Sequence, residues 1–378
     1  MRTARIAIVG GGLSGLYAAL LLEQRGMTDY VLLEARHTLG GRIASTPDRS
    51  DSGVTSGEKD INRFDLGPTW FWPAVQSQLD RLVQHLGLTC FEQHETGDMV
   101  VERSTGEPPV RMRGYANSPT SMRVVGGMAS LIDALRRRVD SKRIVTGQNV
   151  QCVRSMDDHI ELNCVDVQGR TTLRYVEHVL LAVPPRLAEQ TIQFTPSLPQ
   201  ELARQWRNTA TWMAPHAKYV AIYDTPFWRE QGLSGEARSA CGPLGEIHDA
   251  SMPGGSAALF GFFAIPARVR NRVPEDGLRA HCRAQLGRLF GMRAATPVAD
   301  IIKDWAWDSY TATAADLDSN DHQGISPSVT ATSEPWHGRL TGIASEWSRQ
   351  FPGYVAGAVD AASRGVHAIP EITAKGER

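Results

Sequence analysis

The chain has 378 residues, 42% of them hydrophobic and 21% charged, with a formal net charge of -1 and a sequence pI of about 6.8. Domains average roughly 100–200 residues, so this length builds one large core or two moderate ones, and two domains are expected. The balanced charge excludes a broad electrostatic bias toward nucleic acid or an anionic lipid surface.

The amino end runs from Met1 through Arg2 and Arg5 into an apolar strand, which leaves no room for the apolar segment and cleavage site of a signal peptide. No apolar run of about 18 residues occurs, and the carboxyl end Ile372–Arg378 is polar, so the expectation is a soluble, cytoplasmic chain with no membrane partner. Five cysteines, Cys90, Cys152, Cys164, Cys241 and Cys282, form no CxxC pair, which argues against a disulfide framework or a zinc site and reads as buried, reduced thiols.

Residues 5 to 34 read as strand, turn, helix and second strand: Arg5 to Val9, Gly10-Gly11-Gly12-Leu13-Ser14-Gly15, Leu16 to Arg25, then Tyr30 to Leu33. The spacing Gly10-x-Gly12-x-x-Gly15 has a mechanism. The first glycine makes the turn, the second lets backbone approach a pyrophosphate, and the third lets the helix pack on the strand. Backbone N–H groups at the helix start then face the phosphates. Glu34 ends the second strand, where an acid accepts ribose hydroxyls; it disfavours a 2′-phosphate, a point that Arg36 weakens. Gly40-Gly41-Arg42 extends the element beyond what a simple nicotinamide site needs. Two adjacent glycines let the chain run beneath a larger cofactor, and Arg42 places a fixed cation near the pyrophosphate or the flavin edge, so the element points to FAD. The segment Ala44 to Asn62, rich in Ser, Asp, Gly and Thr, reads as a loop or hairpin excursion. Farther along, Arg136-Arg137-Arg138 lies in a helical pattern and reads as a solvated face.

From this point the sequence resembles the flavin-containing amine oxidase family, which includes monoamine oxidases, polyamine oxidases and bacterial nicotine oxidases. Phe64-Asp65-Leu66-Gly67-Pro68-Thr69-Trp70 is similar to the family's Asp-x-Gly-Gly stretch beside the flavin, with proline at the second glycine. Val124-Val125-Gly126-Gly127-Met128 precedes a helix as the family's Gly-Gly element does, and Val150 stands where a family valine touches the adenine through its backbone. Val179 to Pro185 resembles the return to the FAD domain. Glu346, followed by Gly353-Tyr354-Val355-Ala356-Gly357-Ala358, resembles the last cofactor motif. The resemblance covers most of residues 5 to 368. It implies non-covalent FAD held by Gly10, Gly12, Ser14, Gly15, Glu34, Ala35, Arg36, Gly41, Arg42, Gly67, Pro68, Thr69, Trp70, Val150, Glu346 and Val355, with no metal.

The implied architecture is α/β, a Rossmann-type FAD-binding domain interleaved with an α+β substrate domain. The former is expected over 1–72, 121–195 and 335–378, the latter over 73–120 and 196–334. Lys218, in the strand pattern Ala217-Lys218-Tyr219-Val220-Ala221-Ile222-Tyr223, looks like the family's flavin lysine, which in relatives holds a water against the flavin N5; as a lysine in an apolar strand it needs a partner to offset burial. Tyr354 stands where amine oxidases place one wall of an aromatic cage, which orients an amine by its π face. Where membrane-bound relatives carry a flavin-linking cysteine and then a tyrosine, this chain has Ala314 and Ala315. Non-covalent binding follows, and a second wall falls to another aromatic such as Trp70, Trp72, Trp305 or Phe351. His216 and His248-Asp249 lack a metal-ligand spacing and are discounted as acid-base or metal groups.

The implied reaction is oxidation of a small amine to an imine by hydride transfer to flavin N5, with oxygen as the acceptor. Two alternatives remain, the first of which shares the amino-terminal signature. One is a desaturase or protoporphyrinogen-oxidase-like dehydrogenase, which Lys218 and Tyr354 disfavour; the other is a non-enzymatic binding protein on the same fold, which the intact dinucleotide site disfavours.

Overall fold

The computed structural model describes residues 3–46, 61–317 and 326–370. The loop read over 47–60 and the polar end Ile372–Arg378 lie outside them. The chain divides into two compact units, each assembled from separated segments.

The first unit comprises Met1–Gly41, Ile132–Trp212 and Asp321–Arg378. Its main sheet has five parallel strands in the order Leu340–Gly342, His178–Leu181, Ile6–Val9, Tyr30–Leu33 and Ile144–Val145. Ile6–Val9 and Tyr30–Leu33 are continuous apolar runs buried at every residue, as strands covered on both faces must be. The first helix, Leu13–Gln24, starts three residues earlier than the sequence suggests, directly after Gly12. It packs on Val355–His367, and beyond the helix end the Arg25 guanidinium donates to the carbonyls of Val366 and Ile369. A four-stranded sheet, Thr171–Val176, Ile160–Val165, Asn149–Ser155 and Gln193–Thr195, shares a core of Val9, Leu33, Val150, Leu162, Trp206 and Trp347 with the parallel sheet.

The second unit comprises Arg42–Leu131 and Met213–Asn320. Its seven-stranded sheet runs Ala299–Asp304, Ala217–Tyr223, Ala257–Phe263, Leu244–Asp249, Leu233–Ser239, Asp98–Glu102 and Val110–Arg113; within it Leu233–Ser239 pairs parallel with Asp98–Glu102. Alternation along Ala217–Tyr223 sorts its side chains. Tyr219, Ala221 and Tyr223 pack with Leu278, Leu286 and Phe290 of the helix Glu275–Phe290, while Val220 and Ile222 pack with Phe64, Leu66 and Phe260. Lys218 has the parity of Val220 and so belongs to the Phe64–Leu66 face.

The units change over at 41/42, 131/132, 212/213 and 320/321, against sequence-based boundaries at 72/73, 120/121, 195/196 and 334/335. The largest difference, residues 42–72, has a packing cause. Ser45 bridges Asp65, Thr46 N–H donates to the Phe64 carbonyl at 2.8 Å, and Phe64 and Leu66 pack beneath Val220 and Phe260. All five cysteines are free, with Cys164, Cys241 and Cys282 buried but Cys90 and Cys152 half-buried, a partial correction to the reading of all as buried. Arg136, Arg137 and Arg138 are exposed at the end of the Ala129–Arg138 helix. Among the described residues no helix is long and apolar enough to cross a membrane.

Candidate active site

In the first unit the glycines of the turn differ in what requires them. Gly10 has φ +110°, a conformation that side chains resist, and a Cβ on Gly15 would stand 2.0 Å from the Gly10 carbonyl oxygen. Both are demanded by the fold. Gly12 has φ −75° and ψ −172°, open to any residue, and a Cβ there would meet only ordinary contacts, 3.7 Å from the Gly40 carbonyl oxygen and 3.9 Å from Gly41 Cα. The protein's own packing therefore leaves a cradle at Gly12 that a side chain would fill. The helix beginning at Leu13 has no side-chain cap, so its first N–H groups, Ser14 in the first turn among them, point toward that cradle.

Glu34, 3% exposed, is gripped by backbone on both oxygens: Oε2 accepts from Gly11 N–H at 2.6 Å and Oε1 from Arg36 N–H at 2.8 Å. A carboxylate has about four lone-pair sites, so acceptor capacity remains for hydroxyl donors. Arg36 reaches to 3.9 Å of Oε1 past the intervening Ala35. Gln148 N–H donates to the Glu34 carbonyl at 2.8 Å, which brings the start of the Asn149–Ser155 strand, with Val150, to the same edge. Gln148 Oε1 is buried there with no partner among the described residues. An uncapped helix start, an open glycine and unspent acceptors beside a fixed acid fit a dinucleotide of the FAD kind. Glu346 is buried in the turn Ser345–Trp347, where its Oε2 accepts from Ser345 Oγ at 3.1 Å. Val355 opens the helix Val355–His367, with Tyr354 at its N-cap.

In the second unit the strand bearing Lys218 is flanked on both sides, by Ala257–Phe263 and Ala299–Asp304. Lys218 is 2% exposed. An edge lysine reaching solvent is thereby ruled out. Its Nζ donates to Thr69 Oγ1 at 2.6 Å and to the Gly67 carbonyl at 3.1 Å, and lies 4.0 Å from the centre of the Phe260 ring and 5.7 Å from that of Phe262. Gly67 must be glycine, because a Cβ would stand 2.1 Å from the Arg42 carbonyl oxygen. Pro68 follows it, half-buried. Burial lowers the Lys218 pKa to about 7, opposed by the attraction of Asp65 and assisted by repulsion from Arg123. Burial likewise raises Asp65 to about 6, against the pull of Lys218 and Arg123. Asp65 Oδ1 accepts from Met128 N–H at 2.7 Å, and Arg123 is spent on the carbonyls of Ala250 and Ser251.

Trp70 presents its ring to His248 and Phe260, centroids at 4.8 and 5.4 Å, while its Nε1 donates to Gln93 Oε1 at 2.8 Å. His248 is thus an aromatic packing partner whose Nε2 lies 2.6 Å from Glu246 Oε1, and Asp249 is engaged by Trp228 and Arg229. Trp305 anchors the same loop through a bond from its Nε1 to the Leu66 carbonyl at 2.9 Å, whereas Trp72 is tied to Ser121. A cavity of about 550 Å³ opens between Phe91–Thr96, Pro226, Arg229, Ser251–Gly255 and Ala257; neither Lys218 nor Thr69 lines it. Among the described residues no group of three or more His, Cys, Asp or Glu is placed to hold a metal ion.

Tyr354 has a neighbour that sequence reasoning missed. Trp212 lies in the same unit with ring centroids 4.3 Å apart and planes at 52°, and Gly353, at φ +82°, brings the backbone to the Trp212 side chain. Phe351, one of the aromatics considered for a second wall, offers its backbone carbonyl to Tyr354 N–H at 3.1 Å. Nothing local marks Trp212, since it stands in an aperiodic stretch ending in Pro215. Asp65 was also passed over as a site residue, although an acid between Phe64 and Leu66 was the available signal.

Comparison with known proteins agrees with this organisation. The family described as flavin containing amine oxidoreductase matches residues 90–369, and that described as NAD(P)-binding Rossmann-like domain matches residues 8–86. A probable flavin-containing monoamine oxidase A of Dictyostelium discoideum is 29% identical over 197 residues, 50% of this chain and 40% of that protein. Amine oxidase [flavin-containing] B of Sus scrofa is 24% identical over 464 residues, 96% of this chain and 85% of that one; since 464 exceeds the 378 residues here, the pig enzyme carries stretches without counterpart. Among solved structures, putrescine oxidase bound to putrescine superposes with a TM-score of 0.76 at 20% identity, covering 97% of this chain and 98% of that one. The family match spans well over half the chain and joins a dinucleotide-binding unit to the oxidase region, so this protein belongs to the flavin-containing amine oxidoreductase family and is an FAD-dependent amine-oxidising enzyme.

Proposed function

We propose that this enzyme oxidises a small amine to its imine with FAD bound non-covalently and oxygen as the terminal acceptor. When bound, FAD supplies at N5 the acceptor for the hydride that leaves the carbon next to nitrogen; the amine nitrogen gives up a proton, and water hydrolyses the released imine. The single observation that carries the reading is Lys218, a buried lysine held between Thr69, Gly67 and the Phe260 face.

The rest is what the chain's own groups do. Gly12 and the start of the Leu13–Gln24 helix receive the pyrophosphate, Glu34 the ribose hydroxyls, and the edge at Val150 the adenine. Glu346, Val355, Gly41, Arg42 and the Gly67–Trp70 loop complete the cofactor contacts. Ala314 and Ala315 offer no nucleophile for a covalent link, which supports reversible binding. Lys218 spends two donors on Thr69 and Gly67 and retains a third for a water on the reacting side. Tyr354, backed by Trp212, offers an aromatic wall to orient an amine.

The test is steady-state oxidation of a panel of primary, secondary and polyamines by wild type and Lys218→Met. The expected result is amine-dependent oxygen uptake that falls in Lys218→Met by about 10²-fold or more, the scale of losing a positioned proton-handling group. Full activity in Lys218→Met removes the role given to Lys218.

A further inference from the structure

The partners of Lys218 are unequal. The Gly67 carbonyl, 3.1 Å away, only accepts, and so takes an N–H from the amine in either protonation state but cannot serve the lone pair of the neutral form. The Thr69 hydroxyl, 2.6 Å away, accepts from an ammonium or donates to the lone pair of a neutral amine. Of these two partners, the hydroxyl is the one that can also satisfy the lone pair of neutral Nζ. The charges around the site are few. Asp65 and Arg123 act on Lys218 from the loop and from the strand Met122–Val124, and Arg63 acts on Asp65. Lys303 stands opposite Lys218 on Ala299–Asp304, engaged by Asp308 at 2.9 Å. On the other flank Ala257–Phe263 presents the rings of Phe260 and Phe262, with His248 behind Phe260 and bonded to Glu246.

We propose that Thr69 is a positioning residue for Lys218: its hydroxyl fixes Nζ in both protonation states and sets the proton affinity of that amine. The inference rests on the role given to Lys218 above and reassigns Thr69 from cofactor contact to partner of that lysine. Because burial brings Lys218 to about 7, both forms are populated near neutrality, and a partner that serves either one governs the balance. A Thr69→Val replacement keeps the shape and removes the oxygen. The ammonium loses its shortest acceptor while the neutral amine loses a weaker bond, so the proton affinity falls.

The chain contains five lysines, Lys59, Lys142, Lys218, Lys303 and Lys375, so the side-chain signals of protein labelled with 13C and 15N at lysine are separable, with Lys218→Met supplying the assignment. The purified protein with its bound cofactor is titrated in wild type, Thr69→Val and Thr69→Ser. The expected result is a Lys218 midpoint lowered by about one pH unit or more in Thr69→Val and returned to the wild-type value in Thr69→Ser. The pH profile of amine turnover then shifts with the midpoint. If Thr69→Val does not fold, Thr69→Ala gives the same readout without added bulk. A Thr69→Val or Thr69→Ala midpoint equal to wild type overturns the proposal. If no amine is oxidised by wild type, the function proposed above fails, and the lysine titration still decides the role of Thr69.

Discussion

Lys218 carries a charge into a place where an unpaired charge is costly, since an isolated ion in an apolar interior neutralises itself rather than remain. That cost gives a prediction with a definite sign. The folded pKa is about 7 against an ordinary value of 10.5, so between these limits the unfolded chain binds more protons at this site than the folded one. Stability from Lys218 is therefore present in full above about pH 10.5 and lost as pH falls through about 7. Asp65, raised to about 6, has largely finished titrating at the bottom of that window. The melting temperature of wild type relative to Lys218→Met should rise between about pH 7 and pH 9, followed by thermal unfolding in matched buffers. A flat difference would mean that Asp65 keeps Lys218 charged throughout. At this scale the sequence was half legible. A lysine interrupting an apolar strand is visible in the chain, but its partner Thr69 is 149 residues away, and Trp212 and Tyr354 meet through a fold that no local pattern encodes.

At the scale of elements, the two roles of glycine in the first turn separate experimentally. Gly15→Ala forces a Cβ to 2.0 Å from the Gly10 carbonyl oxygen, a backbone clash the helix relieves only by moving. Loss of about 1–3 kcal/mol of stability is expected, read as a lower melting temperature whether or not cofactor is present. Gly12→Ala meets ordinary contacts, so the cofactor-free protein should melt within about 1 kcal/mol of wild type, since its backbone needs no left-handed conformation. Its loss should appear instead as weakened FAD retention, measured by flavin fluorescence on dilution. Equal destabilisation of both cofactor-free variants would contradict the distinction. This element was the most legible part of the chain, because strand, turn and helix are contiguous and their signals lie within 30 residues. The helix start alone was misplaced, at Leu16 rather than Leu13, since Leu13, Ser14 and Gly15 read as turn residues until a helix is seen to begin immediately after Gly12. The Phe64–Trp70 loop was identifiable by resemblance, whereas its attachment through Trp305 and Lys218 depends on strands more than 140 residues away.

At the scale of the whole molecule, the structure divides the chain into two compact units, each drawn from separated segments. Where the boundaries fall was less legible. A sequence shows that 61–72 follows the dinucleotide element, yet only packing shows that Phe64 and Leu66 join the cluster beneath Val220 and Phe260. The family assignment makes the cofactor and the general reaction firm, and the remaining claim is that this chain holds FAD reversibly and reduces it with an amine. The visible spectrum of purified protein, recorded before and after acid precipitation and then in the native state under anaerobic addition of the amine panel, tests both parts at once. Yellow colour released into the acid supernatant and amine-dependent bleaching of the native protein are expected. Flavin that stays with the precipitate, or a native spectrum that no amine bleaches, would contradict that claim.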